Sequence, residues 1–438
     1  MKRFSMVMVL VVILMLPLGL WANGLSLNSI GPRALGMGGA FVGLANDHTA
    51  IYWNPAGLIN LKGAYVGLFA TDVIPMATYK YDMAGIDTKA KTNHYVSPNL
   101  MAYWTCRLTD KLKMGFGAYV PAGLGVEWEG KDLLPFTMLD TNGDGIPDTP
   151  QGPYEWMSKI GVFNFSPAVS FKANEKLSLG IALNIFYGMF DMKRPATLRD
   201  PATGATVGYA QYSESSTGLG YGLTLGMLFK YSERVSFGLS VRTKTNVTMS
   251  GQAENPGMAA ANYATKSDFD RDVAWPLWIG GGVAIKPTDR FTLTADLQWS
   301  QWKKSEETFT TKFKDAAWKA GAEQTGENVF HLYWENALQI RFGAEYKLTD
   351  MLALRGGWYY DPAPAPLKTY NILFPSFTYN AITFGGTYQL GALNFDAGLE
   401  YLIGQERVVE DPGTYHAVPG THNMDIVAFS IGLGYQFK

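Results

Sequence analysis

The sequence predicts an all-β protein, a transmembrane antiparallel β-barrel of about 14 strands with an N-terminal hatch in its lumen. Three observations support this: apolar and polar residues alternate over many short segments, tight turns and long loops alternate between those segments, and the composition is rich in glycine and aromatic residues. Of 438 residues, 17% are charged, 14% are aromatic and 48 are glycine. The net charge of -2 argues against nucleic acid as a partner.

Residues 1–22 are predicted to be a removable export signal. Lys2 and Arg3 precede an apolar run from Met6 to Leu20, and Ala22 is a small residue at the expected cleavage edge. An uncleaved anchor helix is the alternative, but the run is close to the lower limit of about 17 residues for a membrane-spanning helix. Export together with a barrel predicts the outer membrane of a Gram-negative bacterium.

Residues 23–61, the N-terminal segment, lack the alternation and are rich in Gly and Ala. A wide barrel has a lumen that its wall side chains cannot fill. We therefore predict that this segment forms a hatch inside the barrel. A periplasmic tail is the alternative.

Residues 62–438 are predicted to form the barrel. From Phe291 to Trp299 the odd positions are apolar and the even ones polar, and tight turns such as Lys172–Lys176 and Lys286–Arg290 join segments of this kind. A soluble β-sandwich would show the same alternation of residues, but it would have no reason to alternate short turns with long loops. The sheet must close into a barrel because an unpaired sheet edge is too costly in lipid. The predicted strands are roughly 62–74, 92–106, 111–124, 159–172, 176–190, 216–230, 234–250, 274–286, 290–302, 335–347, 351–360, 378–389, 392–403 and 425–437. The long loops lie around 125–158, 191–215, 252–273, 304–333, 361–377 and 405–423.

Several motifs resemble those of the FadL/TodX-type outer-membrane transporters of long-chain fatty acids and aromatic hydrocarbons, and the resemblance covers nearly the whole mature chain. The motifs are Gly31-Pro-Arg-Ala-Leu-Gly-Met-Gly-Gly-Ala-Phe41, Ala50-Ile-Tyr-Trp-Asn-Pro-Ala-Gly-Leu58, Tyr119-Val-Pro-Ala-Gly-Leu124, Trp275-Pro-Leu-Trp-Ile-Gly280, Ala295-Asp-Leu-Gln-Trp-Ser-Gln-Trp302 and Leu354-Arg-Gly-Gly-Trp-Tyr-Tyr-Asp-Pro-Ala-Pro364. Taken in order they are fairly specific, whereas a lone Asn-Pro-Ala would mean nothing.

The resemblance implies passive uptake of hydrophobic small molecules: capture at outer loops, binding in the barrel, rearrangement of the hatch and sideways release beside a kinked third strand. Asn54, Pro55 and Ala56 would belong to the hatch. Pro121 and Gly123 would form the gate, because Pro donates no ladder hydrogen bond and Gly packs nothing; alternatively they only begin the following loop.

Other functions remain as alternatives. Within the fold, similar openings occur in barrels that look like assembly or secretion partners. A lipid hydrolase would need a nucleophile beside His94 or His331, and nothing selects one, so no enzymatic activity is expected. An open porin is disfavoured because the N-terminal segment would sit in its pore.

Seven residues occupy strand positions whose alternation predicts a side chain pointing into the lumen, and these are candidates for substrate binding. The cations are Arg242, Lys244, Arg341 and Arg355, and the apolar or aromatic residues are Phe186, Phe190 and Tyr359. The cations could pair with a substrate carboxylate, whereas Phe186, Phe190 and Tyr359 could line a hydrophobic pocket. Internal ion pairs are the alternative for the cations, since Asp296, Glu345, Asp396 and Glu400 occupy positions of the same kind.

A structural Ca²⁺ site is predicted at residues 140–148. Its ligands would be Asp140, Asn142, Asp144, the carbonyl of Ile146 and Asp148, with Gly145 at the position that needs a sharp turn. A metal-free, turn-prone loop is the alternative. The expected partners are outer-membrane lipid, a hydrophobic small molecule and the barrel-assembly machinery, and the protein is expected to be a monomer.

Overall fold

The computed structural model describes residue 24 and residues 26–105, 109–200, 203–305, 307–410 and 417–437. The predicted export signal lies outside these residues. Among the described residues, no helix is both long and apolar enough to cross a membrane.

Fourteen antiparallel strands close into a barrel, which confirms the predicted fold class. In chain order they are β1 Ala64–Tyr81, β2 Tyr95–Thr105, β3 Leu112–Trp128, β4 Trp156–Lys172, β5 Leu177–Arg199, β6 Thr206–Ser232, β7 Val235–Arg242 continued as Thr245–Glu254, β8 Lys266–Trp275 continued as Trp278–Ile285, β9 Phe291–Ser300, β10 Ala337–Lys347, β11 Leu352–Asp361, β12 Tyr379–Leu390, β13 Leu393–Gly404 and β14 Gly420–Phe437. The last strand pairs with the first from Ala64↔Phe437 to Lys80↔Thr421. Closure leaves no edge to face lipid.

The alternation seen in the sequence sorts side chains between lipid and lumen. On β5, Leu179, Ile181 and Leu183 point outward and are 42%, 44% and 38% exposed, whereas the alternate residues Ala182 and Asn184 are buried. Side chains with 2-residue periodicity fall on opposite faces of a strand. The outward set forms the apolar surface that a bilayer covers.

Several strands are longer than predicted. β5 and β6 run into the predicted loop 191–215, and β7 and β8 into 252–273. The outward face of β6 explains the error, because it changes from apolar at Leu219 and Tyr221 to polar at Ser213, Ser215 and Thr217. Beyond the bilayer an outward residue no longer needs to be apolar, so the alternation that marks a strand is lost there.

Short elements cap the barrel and shape its loops. The α-helices are α1 Pro32–Leu35, α2 Ala50–Trp53 and α3 Ala316–Thr325. The 3₁₀ helices are Pro55–Asn60, Asp82–Ala84, Gly130–Thr137, Pro256–Ala261, Trp302–Lys304 and Leu367–Thr369. The short strands are Ile86–Lys89, Met138–Leu139, Thr149–Pro150, Thr308–Thr310, Lys312–Phe313, Val329–His331 and Arg407–Val409.

The N-terminal segment packs against inward-facing groups of several barrel strands. The amide of Gly38 donates to the hydroxyl of Thr383 on β12 at 3.0 Å, and the amide of Val42 donates to the carboxylate of Asp296 on β9 at 2.8 Å. Nearly all of residues 30–58 are buried. This arrangement is consistent with the predicted hatch.

Candidate functional site

The pairing between β2 and β3 is interrupted on the outer side of the barrel. The ladder ends at Leu100↔Ala118, and the register resumes only at the bridge Ala90↔Trp128 beside a backbone bond from Lys91 to the Glu127 carbonyl. Between these points the described residues contain no β2–β3 backbone pairing. We call this interruption the window, bounded by residues 92–99 and 119–126.

A bulge in β3 coincides with the window. Tyr119 pairs with Asn164 and Ala122 with Val162, so Val120 and Pro121 together face one residue of β4. Pro121, predicted as part of the gate, therefore lies in the bulge. Gly123, the other predicted gate residue, stays paired with β4 inside a strand that continues to Trp128 rather than starting a loop.

A side chain of β2 and the N-terminal segment form hydrogen bonds with backbone groups of β3 that have no ladder partner in the window. The Val120 amide donates to the side-chain oxygen of Asn99 on β2 at 2.8 Å, and the Leu27 amide donates to the Pro121 carbonyl at 2.9 Å. A buried backbone group without a partner is costly. The start of the N-terminal segment is thus attached to β3 at the bulge.

An apolar chamber adjoins the window from the lumen side. Leu124 and Gly125 of β3 contribute to its wall. The lining consists of Gly24, Pro75, Leu124, Gly125, Ser158, Ile160, Phe190, Phe309, Leu332, Trp334, Leu373, Phe374, Pro375, Met424 and Ile426. Phe190, predicted from its inward parity as a pocket residue, is one of them and stacks against Phe374 with ring centroids 6.2 Å apart.

A second cavity lies on the other side of the bulge and is more polar. Arg242 and Phe186, both predicted as substrate-binding candidates, line it together with Asn164 and Asn184. The guanidinium of Arg242 lies 3.7 Å from the ring centroid of Tyr52 and donates to the Tyr52 carbonyl at 2.8 Å. Arg242 is therefore in contact with the N-terminal segment.

The Asn54-Pro55-Ala56 motif links the N-terminal segment to the wall. The Asn54 side chain donates to the Val42 carbonyl and to the Met227 carbonyl of β6, and it accepts from the Ala56 amide at the start of the 3₁₀ helix Pro55–Asn60. Pro55 occupies the first helical position, where no amide is needed.

The other predicted cations lie away from the chamber. Arg355 pairs with Glu345 at 2.6 Å, and Glu345 also receives Arg33 of the N-terminal segment at 2.9 Å. Arg341 donates to the Gly38 carbonyl. Lys244 is exposed and donates to the Lys304 carbonyl.

Tyr359 is the remaining predicted aromatic residue. It is fully buried beneath Arg341, 4.3 Å from its guanidinium, and donates to Glu400. It is absent from the chamber lining.

The predicted calcium loop is folded by its own side chains. The Asp140 carboxylate accepts from the amides of Gly143 and Gly145, and the Asp144 carboxylate accepts from the Ile146 amide. Hydrogen bonds from the amide and hydroxyl of Thr141 lower the pKa of Asp148. Among the described residues, no group of three or more His, Cys, Asp or Glu side chains is placed to hold a metal; calcium stays a prediction, and Asn142 shares in the same turn.

Most of the chamber was not identified in the sequence. Phe309, Leu332, Trp334 and Phe374 come from regions expected to be loops, where no parity assigns a side chain to the lumen. Their apolar character in long outer loops was the available signal, because exposed loops rarely gather aromatic residues without a role.

Comparison with known proteins places the chain in a family. Residues 15–437 match the model of the family described as outer membrane protein transport protein (OMPP1/FadL/TodX). The chain is 24% identical over 418 residues to the 47 kDa outer membrane protein of Pasteurella multocida, which covers 92% of each chain.

Solved structures share the fold. A FadL homologue from Pseudomonas aeruginosa matches with a TM-score of 0.78 at 16% identity, covering 95% of this chain and 100% of the other. The toluene transporter TodX of Pseudomonas putida matches with a TM-score of 0.70 at 18% identity, with the same coverage. The closed barrel, the relatives' location and the match over nearly all its length establish that the chain belongs to the OMPP1/FadL/TodX family of outer-membrane transport proteins.

Proposed function

We propose that the protein carries hydrophobic small molecules, such as long-chain fatty acids or aromatic hydrocarbons, passively across the outer membrane. The molecule is captured at the outer loops, binds in the apolar chamber and leaves sideways through the window. The observation that carries this proposal is the contact between chamber and window, since Leu124 and Gly125 belong to both. The family, together with the similar fold of the toluene transporter TodX, supports the substrate class.

Sideways release suits apolar cargo. A molecule that leaves through the wall enters lipid without crossing water, so its apolar surface stays out of water throughout. The burial of the N-terminal segment and its contacts with the barrel strands support this route over an axial one. We expect a monomer in outer-membrane lipid, folded by the barrel-assembly machinery.

The proposal is tested by uptake into cells that lack their own transporter of this kind. The wild-type protein should restore uptake of radiolabelled naphthalene or oleate, and Leu124→Arg, which places a charge in the chamber, should reduce it about tenfold because burying an unpaired charge is costly. Leu367→Arg is the matched control, since Leu367 is 46% exposed in an outer loop. Equal uptake with the wild-type protein, Leu124→Arg and the empty vector would contradict the proposal.

A further inference from the structure

The chamber lining offers no charge to a ligand. The lining residues are apolar except for the indole N–H of Trp334 and the hydroxyl of Ser158, which donates to the Leu373 carbonyl. A carboxylate placed there would lose its hydration without gaining a counter-charge.

One guanidinium lies directly behind the lining rings. Arg271 of β8 is 4.3 Å from the ring centroid of Phe309 and 5.2 Å from that of Phe190. Both rings belong to the chamber wall. Arg271 is thus a cation in direct contact with the chamber wall.

This guanidinium is already neutralised. Its two terminal nitrogens donate to the carboxylate oxygens of Glu214 on β6 at 2.5 and 2.9 Å, and both side chains are 0% exposed. Glu214 also accepts from Tyr212, and Arg271 donates to Thr311. Two parallel charge-assisted hydrogen bonds between a guanidinium and a carboxylate form a strong ion pair.

The adjoining space offers a carboxylate no cation. A cavity that shares Gly24, Leu124 and Met424 with the chamber is lined by two buried acidic residues, Asp361 and Glu400, and its lining includes no Lys, Arg or His. Asp361 accepts a hydrogen bond from Gln339, and Glu400 accepts one from Tyr359. Arg242 lines the separate polar cavity. A ligand in the chamber therefore meets an apolar wall backed by a neutral ion pair.

We propose that the chamber binds uncharged apolar molecules and excludes carboxylates, with the Arg271–Glu214 pair as the residues that set this preference. The inference rests on the proposed function, because it presupposes that the carried molecule binds in the chamber. It narrows the substrate class from hydrophobic compounds in general to uncharged ones, of which hydrocarbons are the simplest.

A matched pair of probes tests the exclusion. Naphthalene and 2-naphthoate share one ring system and differ by a carboxylate, which is ionised at neutral pH. Binding is measured by calorimetry with the full-length mature protein in lipid nanodiscs, with empty nanodiscs as the blank. The wild-type protein should bind naphthalene about tenfold more tightly than 2-naphthoate or better.

One substitution tests the role of the ion pair. Glu214→Gln keeps the size of the side chain but leaves Arg271 without a counter-charge, so affinity for 2-naphthoate should rise about fivefold while that for naphthalene changes by less than about twofold. Glu254→Gln is the control, because Glu254 is exposed on β7 and pairs with Lys266 at 3.5 Å. If Glu214→Gln fails to fold, the wild-type comparison still decides the exclusion.

The outcomes separate this inference from the proposed function. Equal affinities, or tighter binding of 2-naphthoate by the wild-type protein, would overturn the exclusion and leave a chamber that still binds apolar cargo. A preference for naphthalene that Glu214→Gln does not relax would overturn the role of the ion pair. Binding of neither probe by the wild-type protein would contradict the proposed function itself.

Discussion

Single residues tie the N-terminal segment to the barrel through buried charges. Arg33 lies between Glu345 of the wall and Asp47 of its own segment, at 2.9 and 3.4 Å, and Glu345 also pairs with Arg355. Glu345 is thus the anion that two guanidinium groups share. The alternation along the strands predicted ion pairs as one role for Arg355. It could not predict the contact of Glu345 with Arg33, because these two residues are more than 300 positions apart in the chain.

Removing the shared anion should destabilise the folded protein. Glu345→Gln removes the closest acidic partner of both cations and leaves Arg33 with Asp47 at 3.4 Å and Arg355 with Asp396 at 3.9 Å. Breaking a buried pair from one side costs about 3–5 kcal/mol. We expect a lower melting temperature in detergent, followed by circular dichroism and by heat-dependent gel migration.

An exposed ion pair provides the control for Glu345→Gln. Lys80 and Asp82 are 3.0 Å apart but 54% and 81% exposed, so Asp82→Asn should leave the melting temperature close to that of the wild-type protein. A similar melting temperature for Glu345→Gln and Asp82→Asn would show that the buried network adds no stability.

At the scale of elements, the window is the least regular part of the wall. Fastening β2 to β3 across it should block sideways release without touching the chamber. Val96→Cys with Gly123→Cys, in a background without Cys106, joined by a bismaleimide, should reduce naphthalene uptake about fivefold or more, since closing an obligatory exit removes most of the flux.

Paired strands elsewhere supply the matched control for the cross-link. Leu179 and Met227 lie opposite each other on β5 and β6, so the same linker between cysteines there fastens strands that are already bonded. Uptake should be unchanged in that variant. Unimpaired uptake after complete cross-linking of the window would exclude it as the exit.

The calcium prediction also belongs to a single element. Asp140, Asp144 and Asp148 project from one exposed loop. Titration of the wild-type protein with Ca²⁺ should release heat that Asp144→Ala loses and Asp289→Ala, an exposed turn variant, retains. Equal heats for the wild-type protein and Asp144→Ala would contradict the predicted calcium site.

The sequence predicted the strands best where lipid constrains one of their faces. Leu179 to Leu183 alternate because the bilayer requires it, whereas Ser213 to Thr217 are strand residues without that constraint and were expected to be loop. The chamber was predicted only in part. The alternation along β5 predicts that Phe190 points inward. Phe309 and Phe374 instead reach the lumen through loop conformations, which no local sequence pattern predicts.

At the scale of the whole molecule, we expect the N-terminal segment to block ion flow through the lumen. Deleting residues 24–60 removes the groups that contact β6, β9 and β12, so ion conductance in planar bilayers should rise sharply from a nearly silent wild-type level. Unchanged conductance would show that the segment does not plug the barrel.

The seam between β1 and β14 joins Ala64 to Phe437, almost the full length of the mature chain. No complete cylinder exists until the final residues have been synthesised, and contacts so distant in the chain form slowly because closing a large loop costs entropy. We therefore expect the N-terminal segment, which is made first, to be enclosed only when β1 and β14 pair. We also expect folding to depend on partners that keep the incomplete apolar sheet from aggregating.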